Sequence, residues 1–174
     1  MRKALVVIDM QEGFINNNTR NLVGRMNKFI DEHKNGFEVI IATQYVNHEK
    51  TPCYIFEGWK DCMKGTKEAN VIDSVLHRVD CVIEKDVYSC WNDKLVDILR
   101  KHNTDKVYFI GVNTGCCVLH SAFDAYNDLQ DCAVIEDLCG STSGLNSHRA
   151  AIQVLRECIT EQRVIKSEHF NEED

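Results

Sequence analysis

Three side chains with complementary chemistry each stand just after an apolar run: Asp9 after Ala4 to Ile8, Lys85 after Cys81 to Glu84, and Cys117 downstream of Val107 to Ile110. A thiol beside an ammonium group is favoured in its ionised, nucleophilic form, and a carboxylate within reach can take up and return a proton. The stretch VYFIGVNTGCCVLHSAFDA, residues 107–125, reads as a buried strand closed by Gly111. It then runs through the turn and cap types Asn113, Thr114 and Gly115 into a helix marked by the spacing of Val118, Ala122 and Ala125. Cys117 falls where that helix begins. The free N–H groups and dipole of a helix start predict a thiol pKa moved from about 8.5 towards roughly 3.5 to 7.5. Each residue also has a purely structural reading: a packed and inert thiol, a carboxylate capping the turn after its strand, a solvated loop lysine. Their joint placement at strand ends is what points to a site.

The elements that would hold them follow from hydrophobic periodicity. Strand-like runs recur at Ala4 to Ile8, Glu38 to Ala42, Cys81 to Glu84, Val107 to Ile110 and Ala133 to Ile135, with a weaker sixth at Arg163 to Ile165. Between them lie helical patterns carried by Leu22, Met26, Phe29 and Ile30, by Leu95, Ile98 and Leu99, by the segment after Cys117, and by Ala150, Val154, Leu155 and Cys158. The alternation predicts an α/β protein, a three-layer αβα arrangement around a doubly wound, mostly parallel six-stranded sheet, as one domain over residues 1–174. Right-handed crossovers bring the carboxyl ends of the strands to one edge, where a topological switch point binds ligands. The longest stretch without a confident element, Gln44 to Asn70, is expected to cover the pocket and to carry a short helix around Glu57 to Met63.

Composition narrows the partners. A net charge of −7 offers no basic footprint for nucleic acid or an anionic membrane, so a small molecule is expected, and the acidic end Glu172, Glu173, Asp174 reads as a solvated terminus. The run Ala4 to Ile8 is too short for a secretory signal or a membrane span, which predicts a soluble, cytoplasmic protein. Nine cysteines, an odd number without a C-x-x-C pair, favour reduced thiols over a disulfide framework or cysteine-ligated zinc.

In joint order and spacing, the blocks VVIDMQEGF, GTKEANVI (65–72), EKDVYSCW, GVNTGCCVLHSAFDA and DLCGSTSGLNSHRAAIQVL resemble the isochorismatase-like cysteine hydrolases, which include nicotinamidases and N-carbamoylsarcosine amidases. The resemblance implies a triad of Asp9, Lys85 and Cys117, the last chosen over Cys116 because it lies three residues after Thr114. It also implies a cis peptide between Val112 and Asn113, and an oxyanion hole made by the backbone N–H groups of Asn113 and Cys117. The implied activity is hydrolysis of an amide-like C–N bond of a small molecule through a thioester on Cys117. Asp9 would shuttle the proton and Lys85 would hold the thiolate and the carboxylate. Homodimers or homotetramers are also implied. Phe14, Trp59, Tyr88, Trp91 and Cys116 are the expected pocket residues.

Two other functions remain open at this level: vinyl ether hydrolysis of the isochorismatase type, which needs no thiol, and a thiol redox sensor or binding module built on Cys116 and Cys117. One block departs from the nicotinamidase pattern. In ATQYVNHEK, Tyr45 and Asn47 stand where that pattern has metal-binding aspartate and histidine, leaving His48 alone, so neither a metal nor any other cofactor is expected. His48 is expected in an exposed loop, His120 packed or solvated, and His148 as a structural residue at a helix start.

Overall fold

The computed structural model describes residues 1–172, so Glu173 and Asp174 of the acidic end lie outside the described residues. Six strands, β1 (Lys3–Ile8), β2 (Val39–Tyr45), β3 (Cys81–Lys85), β4 (Lys106–Val112), β5 (Asp131–Gly140) and β6 (Val164–Ile165), form an open sheet in the order β3-β2-β1-β4-β5-β6. Every pairing is parallel. Such a sheet is covered on both faces and so needs strands that are apolar throughout; β1, sequence KALVVI, is buried at all six positions.

Alternation along the strands separates two cores. Ala4, Val6, Ile8, Val107 and Phe109 face α4 (Asp93–Lys101), α5 (Leu119–Asn127) and α6 (Leu145–Ile159). Leu5, Val7, Tyr108 and Ile110 face α1 (Arg20–His33) and α3 (Asp73–Leu76). At roughly 1.5–3 kcal/mol for each fully buried large apolar side chain, these two layers dominate the folding energy. The stripe that seats α1 is the one its spacing predicts, Leu22, Met26, Phe29 and Ile30. On α6 the buried stripe is Ala151, Ile152, Leu155 and Ile159. This corrects the expected face: Val154 and Cys158 point to solvent because the competing stripe, one residue out of phase, carries the bulkier isoleucines.

Gln44 to Asn70 contains a helix, but earlier than expected. It is α2 (Pro52–Glu57), started by the Thr51 side chain accepting from Tyr54 N–H with proline at its first turn, and stopped by Gly58 at φ +66°. Residues 58–63 are not helical: Asp61 and Cys62 form a turn and Met63 bridges to Asn47.

The direction in which strands are added reverses between β1 and β4: from β1 the sheet builds outward to β2 and β3, and from β4 the opposite way to β5 and β6. The carboxyl ends of β1 and β4 therefore flank the switch point. At this seam Gly111 has φ +125°, and a Cβ there would lie 2.1 Å from the Ile8 carbonyl oxygen, so only glycine lets β4 run this close to the end of β1.

Candidate active site

The chain leaves β1 at Asp9, which holds a left-handed conformation (φ +49°) that non-glycine residues adopt only when surroundings enforce it. Thr43, near the end of β2, supplies part of that enforcement. Its hydroxyl accepts from the Asp9 N–H at 3.1 Å and donates to Asp9 Oδ1 at 2.6 Å. Gln11 supplies the rest. Its side-chain amide donates to the carbonyls of Tyr45 (2.9 Å) and Ala69 (2.8 Å), while its oxygen accepts from Tyr45 N–H (2.7 Å), tying the loop after β1 to the end of β2.

Lys85, the last residue of β3, pairs in register with Tyr45 and reaches across β2. Its Nζ lies 2.7 Å from Asp9 Oδ2, both side chains being essentially inaccessible, and donates to the carbonyls of Val87 and Tyr88 at 3.0 Å each. Burial by itself works against the Lys85 charge. The Asp9 carboxylate, with a smaller contribution from Cys117, more than offsets that and holds the ammonium proton above the ordinary lysine value.

Beyond β4 the Val112–Asn113 peptide is cis. Thr114–Val118 forms a single wide helical turn with π-type spacing before α5, and Cys117 sits in that turn, 5% exposed. The Asn113 N–H makes no hydrogen bond among the described residues, while Asn113 Oδ1 accepts from Thr142 N–H at 2.6 Å. The Thr114 hydroxyl donates to the Gly140 carbonyl, which leaves its oxygen to accept from His148 Nδ1 at 2.9 Å. His148, in the first turn of α6, thus fastens the back of this loop; burial, helped by Arg25 and Arg149, pulls its pKa down and favours the neutral ring. Ser121 fastens the other side, donating to the Cys117 carbonyl at 2.6 Å and accepting from Cys90 N–H at 2.9 Å.

The charges of Asp9 and Lys85 both act on the Cys117 thiol, whose pKa is pushed well up. Burial is the first cause and the Asp9 charge the second; Lys85 works the other way without prevailing. This corrects the expectation of a lowered pKa: the helix-start effect is outweighed by burial and by the charge of the Asp9 carboxylate, which favour the protonated thiol.

Of the three groups Cys117 reaches a cavity, one of about 260 Å³ lined by Phe14, Tyr45, Trp59, Tyr88, Asn113 and Cys116, while Asp9 and Lys85 lie buried behind it. Phe14 and Trp59 stack with ring centroids 5.9 Å apart. Asn16, Cys53, Glu57, Asp61 and Thr142 also line it. Trp91 does not. Cys90 is pinned beneath α5 by Ser121, so the chain emerges on the far side of that helix, where the Trp91 indole donates to Asp128 at 3.1 Å.

The metal ligands of the nicotinamidase block have no counterpart here. Asn47 Nδ2 donates to the carbonyls of Trp59 and Asp61 while its oxygen accepts from Thr51, so both ends of its amide are committed to the loop. His48 lies 3.2 Å from Asp86, 43% exposed, and Tyr45 offers a neutral hydroxyl. No group of three histidine, cysteine or acidic side chains able to hold a metal exists among the described residues. This donor set does not fit such a centre. His120 Nδ1 meets the Cys116 carbonyl at 2.8 Å and its ring leans on Tyr88.

No functionally curated protein matches the chain by sequence. The isochorismatase domain profile matches residues 3–166. Among solved structures, N-carbamoylsarcosine amidase from Thermoplasma acidophilum is 27% identical, with a TM-score of 0.81 over 98% of this chain and 99% of that one. An isochorismatase-like hydrolase from Alkaliphilus metalliredigens superposes at TM-score 0.83 (20% identity, 97% and 96% covered). A pyrazinamidase/nicotinamidase from Streptococcus mutans superposes at 0.79 (23%, 94% and 99%). These last two bear on the fold alone. No helix among the described residues is long and apolar enough to cross a membrane. With the profile running from the first strand to the last, the chain belongs to the isochorismatase-like hydrolase family.

Proposed function

We propose that the protein is a cysteine amidase that hydrolyses an amide-like C–N bond of a small molecule, with Cys117 as nucleophile, Asp9 as proton shuttle and Lys85 as the charge that holds them. What carries this reading is the Lys85–Asp9 ion pair, 2.7 Å and fully buried, whose charges act on a thiol that lines a cavity. A buried carboxylate beside a protonated thiol is a base waiting for its acid. On substrate approach, sulfur forms a bond to the carbonyl carbon as its proton passes to Asp9. The carbonyl oxygen takes the negative charge and is met by the N–H groups of Asn113 and Cys117. Collapse breaks the C–N bond, and Asp9 returns the proton to the departing nitrogen. Water then attacks the thioester, gives a proton to Asp9, and releases the acid; the proton goes back to sulfur. Lys85 stays charged throughout, since its three protons are held by Asp9 and by the carbonyls of Val87 and Tyr88.

A cysteine is wasted on vinyl ether protonation, and the anionic substrates of that branch call for arginines; none lines this cavity. The test is a screen of small primary amides, ureido compounds and lactams, with intact-protein mass spectrometry to catch an acyl adduct. Cys117→Ala should abolish turnover, a loss on the order of a thousandfold or more, with Cys116→Ala retaining it. Full turnover by Cys117→Ala sinks the mechanism.

A further inference from the structure

The cavity beside Cys117 is acidic at its mouth. The charged side chains that line it are Glu57 and Asp61, and among the described residues no lysine, arginine or histidine does. Neither acid is ion-paired among the described residues. The nearby lysines look elsewhere: Lys60 lies over the Tyr54 ring at 5.9 Å, and Lys64 lies 3.8 Å from Glu84. Glu57 is aimed rather than adrift, because the Tyr88 hydroxyl donates to its Oε1 at 3.0 Å and leaves Oε2 available.

A second feature of the same cavity also calls for a ligand. Tyr45 lines it, is 2% exposed, and its hydroxyl has no hydrogen-bond partner. Cys53 and Thr51 are near that hydroxyl, but Cys53 donates to Tyr88 and Thr51 donates to Asn47. Buried hydroxyls are nearly always paired, so this one, on a residue of the cavity wall, keeps an unused donor. Trp59, stacked on Phe14 and tilted against Tyr45 with centroids 5.8 Å apart, adds an aromatic face that attracts cations.

We propose that the substrate is a cationic amide, carrying an ammonium, amidinium or guanidinium group at the end remote from the bond cleaved at Cys117, with Glu57, Asp61 and the Trp59 ring receiving the charge and Tyr45 a polar atom between. The proposal rests on the amidase reading of this pocket. A substrate with a free carboxylate at that end would meet two carboxylates with no cation to balance it, and is the class the pocket rejects.

The first arm of the test compares primary amides of matched length ending in ammonium, hydroxyl or carboxylate. The ammonium amide should exceed the hydroxyl amide in kcat/KM on the order of tenfold, through KM and more so at low salt. The carboxylate amide should be the poorest. Glu57→Gln combined with Asp61→Asn should narrow the ammonium-to-hydroxyl ratio to within about threefold. Equal kcat/KM for the ammonium and hydroxyl amides, or preference for the carboxylate, overturns the proposal.

The second arm needs no catalysis. In a Cys117→Ser background, Cys116 is labelled with trimethylammonioethyl or sulfonatoethyl methanethiosulfonate and read by peptide mass spectrometry, with exposed Cys158 of the same chain as reference. The cation-to-anion rate ratio should be higher at Cys116 than at Cys158, and the Glu57→Gln, Asp61→Asn pair should erase the excess. Equal ratios, or no labelling of Cys116 by the cationic reagent, overturn the charge proposal. Failure of every amide to turn over alongside an excess at Cys116 overturns the amidase reading while the cation preference stands.

Discussion

Lys3 and Lys85 are both buried at strand ends, on opposite edges of one sheet. At the amino end of β1, Lys3 donates to the main-chain carbonyls of Asn171 and Glu172 at 2.7 and 2.8 Å and lies 5.6 Å from the Phe170 ring centroid, holding residues 170–172 against the core. At the carboxyl end of β3, Lys85 meets two carbonyls as well, and in addition the carboxylate of Asp9 and the thiol of Cys117. Burial of a lysine is therefore a statement about cost, and says nothing of use. A carbonyl cannot change its protonation state, so these two hydrogen bonds of Lys3 fasten. A carboxylate and a thiol can exchange a proton, so the charge of Lys85 bears on where that proton rests, together with burial and Asp9.

The sharpest way to break this contrast is to remove the two ammonium groups in turn. Lys85→Met should lower turnover by roughly a hundredfold to ten-thousandfold and cost about 3–5 kcal/mol of stability, because Asp9 is left buried and unpaired. Adding Asp9→Asn should restore much of the stability and none of the activity; urea unfolding of both variants decides whether the two groups act as a pair. Equal stability losses for the single and double variants would dissolve it.

Alkaline pH probes the same groups without mutation. The folded protein holds the protons of Cys117 and Lys85 more tightly than an unfolded chain does, since both pKa values are raised on folding. Stability is then fully present below the ordinary thiol value of 9.0 and falls as pH climbs past it and past the ordinary lysine value of 10.5. Cys117→Ser should flatten the first part of that fall, measured as unfolding free energy against pH. The raised thiol pKa also predicts that, near pH 7.5, iodoacetamide modifies Cys117 more slowly than exposed Cys158, by tenfold or so. Faster labelling of Cys117 would restore the preformed thiolate expected from its place at a helix start.

Lys3→Met should have the smallest effect on chemistry: unchanged kcat/KM, a stability loss of about 1–2 kcal/mol, and faster amide exchange at residues 166–172. A drop in turnover there would mean that the two edges of the sheet are coupled.

The places of Asp9, Lys85 and Cys117 are legible in the sequence because a strand's end is visible as the end of an apolar run, and the parallel fold puts all such ends on one edge. What is not legible is set by neighbours distant in the chain. Thr43 and Gln11, which impose the Asp9 conformation, look like ordinary polar residues until β1 and β2 are laid side by side. Trp91 was misplaced because distance along the chain from Lys85 says nothing about which side of α5 the loop passes. The thiol pKa was misjudged for a similar reason: the helix start is local and legible, whereas contact with Asp9 and loss of water are not. The α2 boundaries, by contrast, were readable from Thr51, Pro52 and Gly58.

The Ser121 hydroxyl, which donates to the Cys117 carbonyl and accepts from Cys90 N–H, spans two segments that leave the sheet from β4 and β3. By way of the sheet those segments are three strand spacings apart, roughly 14 Å, and each junction adds its own positional error to the next. One hydroxyl closes that chain into a ring. Cys117 and the turn that follows Lys85 are thereby gauged against each other directly, so strand movements that the fold tolerates easily elsewhere cannot accumulate into a mismatch at the sulfur.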